Sequence, residues 1–241
     1  MSGPVLVACS HGTADPAGTA AVSRLVDSVR SAVTVPVVEA FVDVHGPYVD
    51  RVVAEHDGHA VVVPLLLAAG FHVHVDIARA TSAWPNASTS DSLGPDGRLT
   101  DILLDRMHAS GVRPDDSVVL AAAGSSNDTA EASVRTAARL LEAGWGQPVT
   151  IAYGAARSPR VPDEVARLRC DGTGRRVAVV SYLLASGHFH RRLAAAGADV
   201  VTQPLLTASE PDPRLLDLLL SRYEQACGDP REFGAARVVV A

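Results

Sequence analysis

Lysine is absent from this chain: all 21 cationic residues are arginine. The absence excludes a Schiff-base or pyridoxal-phosphate lysine and a P-loop lysine. A guanidinium neither deprotonates nor replaces a compact amine at a phosphate. Cysteine is scarce. Cys9, Cys170 and Cys227 are odd in number, far apart and free of any CxxC spacing. No disulfide framework and no structural zinc site are expected. Positive charge is in deficit, with a formal net charge of −6 over 241 residues. That excludes a general nucleic-acid or membrane-surface binder. Long hydrophobic runs are missing too. The longest, Ala60–Phe71, is too short to span a bilayer and contains Pro64. The opening MSGPVLVACSHG has neither the charged n-region nor the long apolar h-region of a signal peptide. A cytoplasmic protein is therefore expected.

What remains is an ordinary globular composition, 47% hydrophobic and 20% charged. Short apolar runs alternate with amphipathic stretches. Pro4–Cys9, Val35–Val42 and Ala60–Leu67 read as strands. Gly18–Val33, Pro47–His56 with its proline at the first turn, a segment from Gly70 to about Ala80, and Leu99–Ser110 read as helices. Ser82–Arg98 is rich in Ser, Pro and Gly and reads as a loop. Ala235–Ala241 reads as a last short strand or a frayed tail. Strands separated by helices predict an α/β protein with parallel sheets and helices on both sheet faces.

The series then restarts. VLVACSHGTAD (Val5–Asp15) matches VVLAAAGSSND (Val118–Asp128) at an offset of 113. VPVVEAFVDVHGP (Val35–Pro47) matches QPVTIAYGAARSP (Gln147–Pro159) at 112, and VVVPLLLAAG (Val61–Gly70) matches AVVSYLLASG (Ala178–Gly187) at 117. The expected architecture is two tandem, duplicated, four-stranded parallel α/β domains, 1–113 and 114–241, with a boundary near Gly111–Asp116.

Comparing the copies separates scaffold from chemistry. On these offsets His11 falls opposite Gly124, Asp43 opposite Ala155 and His72 opposite Phe189. Each polar member stands at, or just beyond, the C-terminal end of an expected strand, where open parallel sheets bind ligands. Two imidazoles and a carboxylate could hold a divalent cation, accept protons near neutral pH, or do both. Taken singly, a histidine there caps a helix, and Asp43 suits a turn before Gly46–Pro47. The three together favour function. His74 reads as a helix-face residue, and His45, His56, His59 and His108 as loop or surface residues. His188 and His190, in GHFH, reach a cleft from the second copy or start a surface helix. The SHGT turn is similar to the RHG of histidine phosphatases, but Ser10 stands where phosphate-holding Arg is needed. No G-x-S-x-G elbow surrounds Ser10 to make it a nucleophile.

SHGT after the first strand, FVDVHGP, and VVPLLLAAGFHVHVDI together resemble the class II chelatases that act on sirohydrochlorin. These are the ferrochelatases of siroheme synthesis and the cobaltochelatases of anaerobic cobalamin synthesis. The resemblance covers nearly the whole chain and is to the long, two-domain form with an active N-terminal half. It implies His11 and His72 as catalytic residues and metal ligands, with Asp43 at an acidic metal-binding position that is often Glu. Asp76 matches a further acidic position, and Ala78 replaces the usual proline. The implied metal, Fe2+, Co2+ or Ni2+, is a substrate, with no permanently bound cofactor. The other implied partner is sirohydrochlorin, with no nucleic acid or membrane involved.

A polycarboxylated ring needs amides and Arg. Ser10, Gly12 and Thr13, opening a helix, and Arg157, Arg160, Arg191 and Arg192, in the second copy, are the expected substrate-binding residues. A monomer is expected, because the duplication supplies internally the pairing that short forms obtain as dimers. The alternatives are a non-catalytic metal or tetrapyrrole carrier and a phosphoryl-transfer enzyme that uses His11.

Overall fold

The computed structural model describes residues 3–56, 58–68, 70 and 76–228. The N-terminal half contains β1 (Val5–Ser10), α1 (Pro16–Ala32), β2 (Val37–Phe41), α2 (Val49–Ala54), β3 (Ala60–Pro64), α3 (Ala78–Ser82), β4 (Ala87–Thr89) and α4 (Gly97–Ala109). The C-terminal half repeats the series: β5 (Ser117–Ala122), α5 (Asp128–Trp145), β6 (Val149–Tyr153), α6 (Val161–Arg169), β7 (Val177–Tyr182), α7 (His188–Ala194), β8 (Val200–Val201) and α8 (Pro213–Cys227). The expected Ala235–Ala241 strand and the start of the helix after Gly70 lie outside the described residues. No described helix is long and apolar enough to cross a membrane.

Both sheets are parallel, ordered β2-β1-β3-β4 and β6-β5-β7-β8. Every residue of β1 is buried, as a central strand covered on both faces requires. Alternate residues feed opposite faces. Leu6 and Ala8 join α1, α4, α5 and α8 in one core that runs through both halves. Val5, Val7 and Cys9 pack with α2 and α3 on the other face. Val119 and Ala121 do the same with α6 and α7. Each fully buried aliphatic contributes roughly 1.5–3 kcal/mol.

Several elements differ from expectation for local reasons. α1 starts two residues early because Asp15 caps it, accepting from Ala17 N and Gly18 N, and Pro16 fits its first turn. Pro47 is not in α2: it precedes the N-cap Tyr48, and its carbonyl accepts from Phe41 N at 2.9 Å. β3 ends at Pro64, three residues sooner than its apolar run. The Ser82–Arg98 loop contains β4, a three-residue edge strand paired with Ala60–Val62. So short a strand carries no readable alternation.

The register between copies is also corrected. Gly12 and Gly124 share a left-handed backbone, with φ of 90° and 91°. Asp43 N donates to His11 O, and Ala155 N donates to Ala123 O. Asp15 and Asn127 are the matching N-caps. The offset for the first strand is thus 112, and His11 corresponds to Ala123 rather than Gly124. Runs of Ala, Val and Gly slide past one another in sequence; backbone hydrogen bonds do not.

The final helices cross over. α4 packs on α5 and β7, while α8 packs on β3 and α1. Tyr223 Oη on α8 donates to Pro4 O at 2.5 Å, and Arg106 Nη2 on α4 donates to Leu205 O at 3.2 Å. Each sheet is therefore covered partly by a helix from the other half.

Candidate functional site

In both sheets the chain leaves the first strand, adds the second on one side and the third on the other. The switch point lies between β1 and β3, and between β5 and β7. The two switch points face one another across a cleft with two cavities, of about 540 and 410 Å³. Leu65, Leu66, Ala123, Leu183, Leu184 and Phe189 line both, and so does His11. Such volumes and apolar walls suit a sizeable small molecule.

His11 follows directly on β1 and is half-buried. Its Nδ1 lies 3.3 Å from Gly12 O. A carbonyl only accepts, so this contact favours a proton on Nδ1 and a lone pair on Nε2. Asp43 is held beside it through the backbone: Asp43 N donates to His11 O at 3.1 Å. A Cβ at Gly12 would stand 2.5 Å from Asp43 O, so only glycine lets these loops touch. Asp43 Oδ1 accepts from Val44 N at 2.7 Å, and the residue is exposed. Its neighbour Val44 lines the second cavity. His72 and His74 lie outside the described residues. Among the described residues no three His, Cys, Asp or Glu side chains are arranged to hold a metal ion.

Ser10, Gly12 and Thr13 line the second cavity, as does Val22 on α1. Arg157 lines the first, but its guanidinium is committed within its own half. Nε donates to Ser125 O at 2.7 Å, Nη2 to Ser126 O and Asp128, and Nη1 to Glu131. The Asp128 hydrogen bond raises the Arg157 pKa above its ordinary value. Arg157 thus faces the cleft with its guanidinium already paired. Arg160 precedes α6, donates to Gly154 O at 2.9 Å and lines neither cavity. Arg191 pairs with Asp15 of the other half, and Arg192 is exposed.

Sequence reasoning missed Tyr182. This side chain corresponds to Leu65, lines the first cavity and donates from Oη to Leu67 O at 3.0 Å, tying the halves together. Burial pushes its phenol well above the usual range. Its tyrosine-for-leucine difference between copies was the available signal. His188 and His190 were left open and line the second cavity. All three cysteines are free thiols. Burial pushes Cys9 up to about 12, which removes it as a nucleophile.

The fold and cleft define a two-lobed, internally duplicated α/β protein with a cleft between the carboxyl edges of its two parallel sheets. The profile of the CbiX family matches residues 5–110 and, a second time, 117–226; the chain belongs to the CbiX family. SirB from Bacillus subtilis, solved with Fe3+, shares the fold at a TM-score of 0.75 and 21% identity, over 99% of this chain and 100% of that one. The sirohydrochlorin chelatase SirB from Bacillus subtilis subspecies spizizenii, in complex with cobalt, superposes at 0.73 and 21%, over 97% and 99%. CbiX, the terminal enzyme for siroheme biosynthesis in denitrifying bacteria, does so at 0.63 and 17%, over 92% and 99%. No curated protein sequence matches.

Proposed function

We propose that this protein is a lyase-class metal chelatase that inserts Fe2+ or Co2+ into sirohydrochlorin, on the way to siroheme or cobalamin. The observation that carries this is His11. It stands on the shared wall of an inter-lobe cleft in a chain that matches the CbiX family in both halves. The solved relatives described as a sirohydrochlorin chelatase with cobalt and as the terminal enzyme for siroheme biosynthesis support the same chemistry.

Insertion removes both pyrrolic protons as the ion enters from one face. A neutral imidazole takes a proton near neutral pH and also ligates Fe2+, Co2+ or Ni2+ without trapping it. His11 and His72 are assigned these roles, with Asp43 as the acidic ligand. Ser10, Gly12 and Thr13, in the loop that carries His11, meet the edge of the ring where the two cavities join, and Arg157 on the first cavity and Arg191 and Arg192 at the rim meet its carboxylates. The halves 1–113 and 114–241 pair within one chain, which makes a monomer sufficient.

An anaerobic spectroscopic assay with sirohydrochlorin and each metal in turn tests this. The wild type turns over, and His11→Ala and His72→Ala each lose roughly 10²–10⁴-fold while remaining folded. Stoichiometric binding without turnover indicates a carrier instead, and full activity in His11→Ala overturns the assignment.

A further inference from the structure

The two cavities of the cleft are related by the internal symmetry. The first is built from the loop after β5 and the segment after β3; the second from the loop after β1 and the segment after β7. They meet at His11. A flat macrocycle lying in one of them closes that side of the imidazole, so an ion reaching the same ring nitrogen has to come from the other.

What each cavity offers a cation differs. Among the described residues the charged side chains of the first are Glu131 and Arg157, paired with each other, and its one imidazole is that of His11. Among the described residues the second has no carboxylate or guanidinium on its wall. It carries His188 and His190 of α7 in addition to His11. Exposure falls inward: His188 is exposed, and His190 and His11 are half-buried. His190 Nε2 lies 3.2 Å from Thr202 O. That carbonyl only accepts, so Nε2 holds the proton and Nδ1 keeps the lone pair. A ring oriented by a backbone carbonyl is the usual support of an imidazole metal ligand.

We infer that the second cavity is the entry route of the divalent cation, with His188 at the rim and His190 further in as successive ligands that pass it to His11 while the macrocycle fills the first cavity. The inference rests on the chelatase function proposed above. Each transfer is ligand exchange: one metal–nitrogen bond forms as a metal–water or metal–nitrogen bond breaks, with no change of oxidation state.

The test varies Co2+ at saturating sirohydrochlorin in the anaerobic assay. His190→Gln keeps an N–H donor at the reach of Nε2 for Thr202 O and removes the ring lone pair; His188→Ala removes the outer ligand. Each raises the KM for Co2+ about 10-fold. The kcat at saturating Co2+ and the affinity for sirohydrochlorin, titrated by absorbance without metal, stay at the wild-type values. Unchanged KM for Co2+ in both variants overturns the route. Weakened sirohydrochlorin binding overturns it too, because it places the macrocycle in the second cavity. An inactive wild type defeats the chelatase function itself, a result visible before any variant is made.

Discussion

Asp15 at the N-cap of α1 accepts a hydrogen bond from Arg191 on α7, joining the two halves beside the second cavity. The same carboxylate caps α1, so one side chain serves the helix and the lobe contact. Nearby, a Cβ on Gly18 would collide with Ser186 O, which shows how tightly these elements meet.

Arg191 is 66% exposed and Asp15 14%, so the pair is a modest tie. Asp15→Asn preserves a capping oxygen and removes the charge. A double-mutant cycle with Arg191→Gln is expected to give a coupling of about 0.2–1 kcal/mol. It should shrink as salt rises. A coupling indifferent to salt would mean that the contact is not electrostatic.

Gly12→Ala places a methyl group against the Asp43 carbonyl in a left-handed conformation. The expected loss of stability is about 1–3 kcal/mol. Gly172 has φ of 80° with nothing near its Cβ direction. Its Ala variant loses about 1–2 kcal/mol from the backbone alone and keeps insertion activity. Gly12→Ala loses activity under conditions where the protein is still folded, because His11 and Asp43 are pushed apart. Equal activity in the two variants would detach Gly12 from the site.

Asp96 links the halves through Arg222 of α8, at 3.3 Å, as well as binding Arg98. Burial works to raise its carboxyl pKa. Hydrogen bonds from Arg98 and the charges of Arg98 and Arg222 outweigh it and hold the group below the usual carboxylate range. A depressed native pKa contributes stability that is complete above the unfolded value of about 3.9 and is lost as pH falls through the native one. Asp96→Asn therefore loses about 1–3 kcal/mol at neutral pH. The urea midpoints of variant and wild type converge as pH falls below about 4. A constant gap across that range would show that charge is not the cause.

The short last strand of each sheet carried little sequence signal. β8 has two residues and β4 three, and neither is long enough to show alternation. The pairing of Arg157 was not legible in the chain, because its partners Glu131 and Asp128 sit on α5, remote in sequence. Pro47 read as a helix start because a proline fits there; its carbonyl is instead taken by Phe41 N.

The duplication, the parallel α/β class and His11 at a strand's carboxyl end were all written in the chain. Apolar runs of strand length and polar differences between copies are local properties that survive in one dimension. The one-residue register, the exchange of α4 and α8 between sheets, and the meeting of His11, His188 and His190 around one space were decided by the tertiary structure. Those depend on which backbone groups bond and which distant helix covers a sheet, and packing alone settles both.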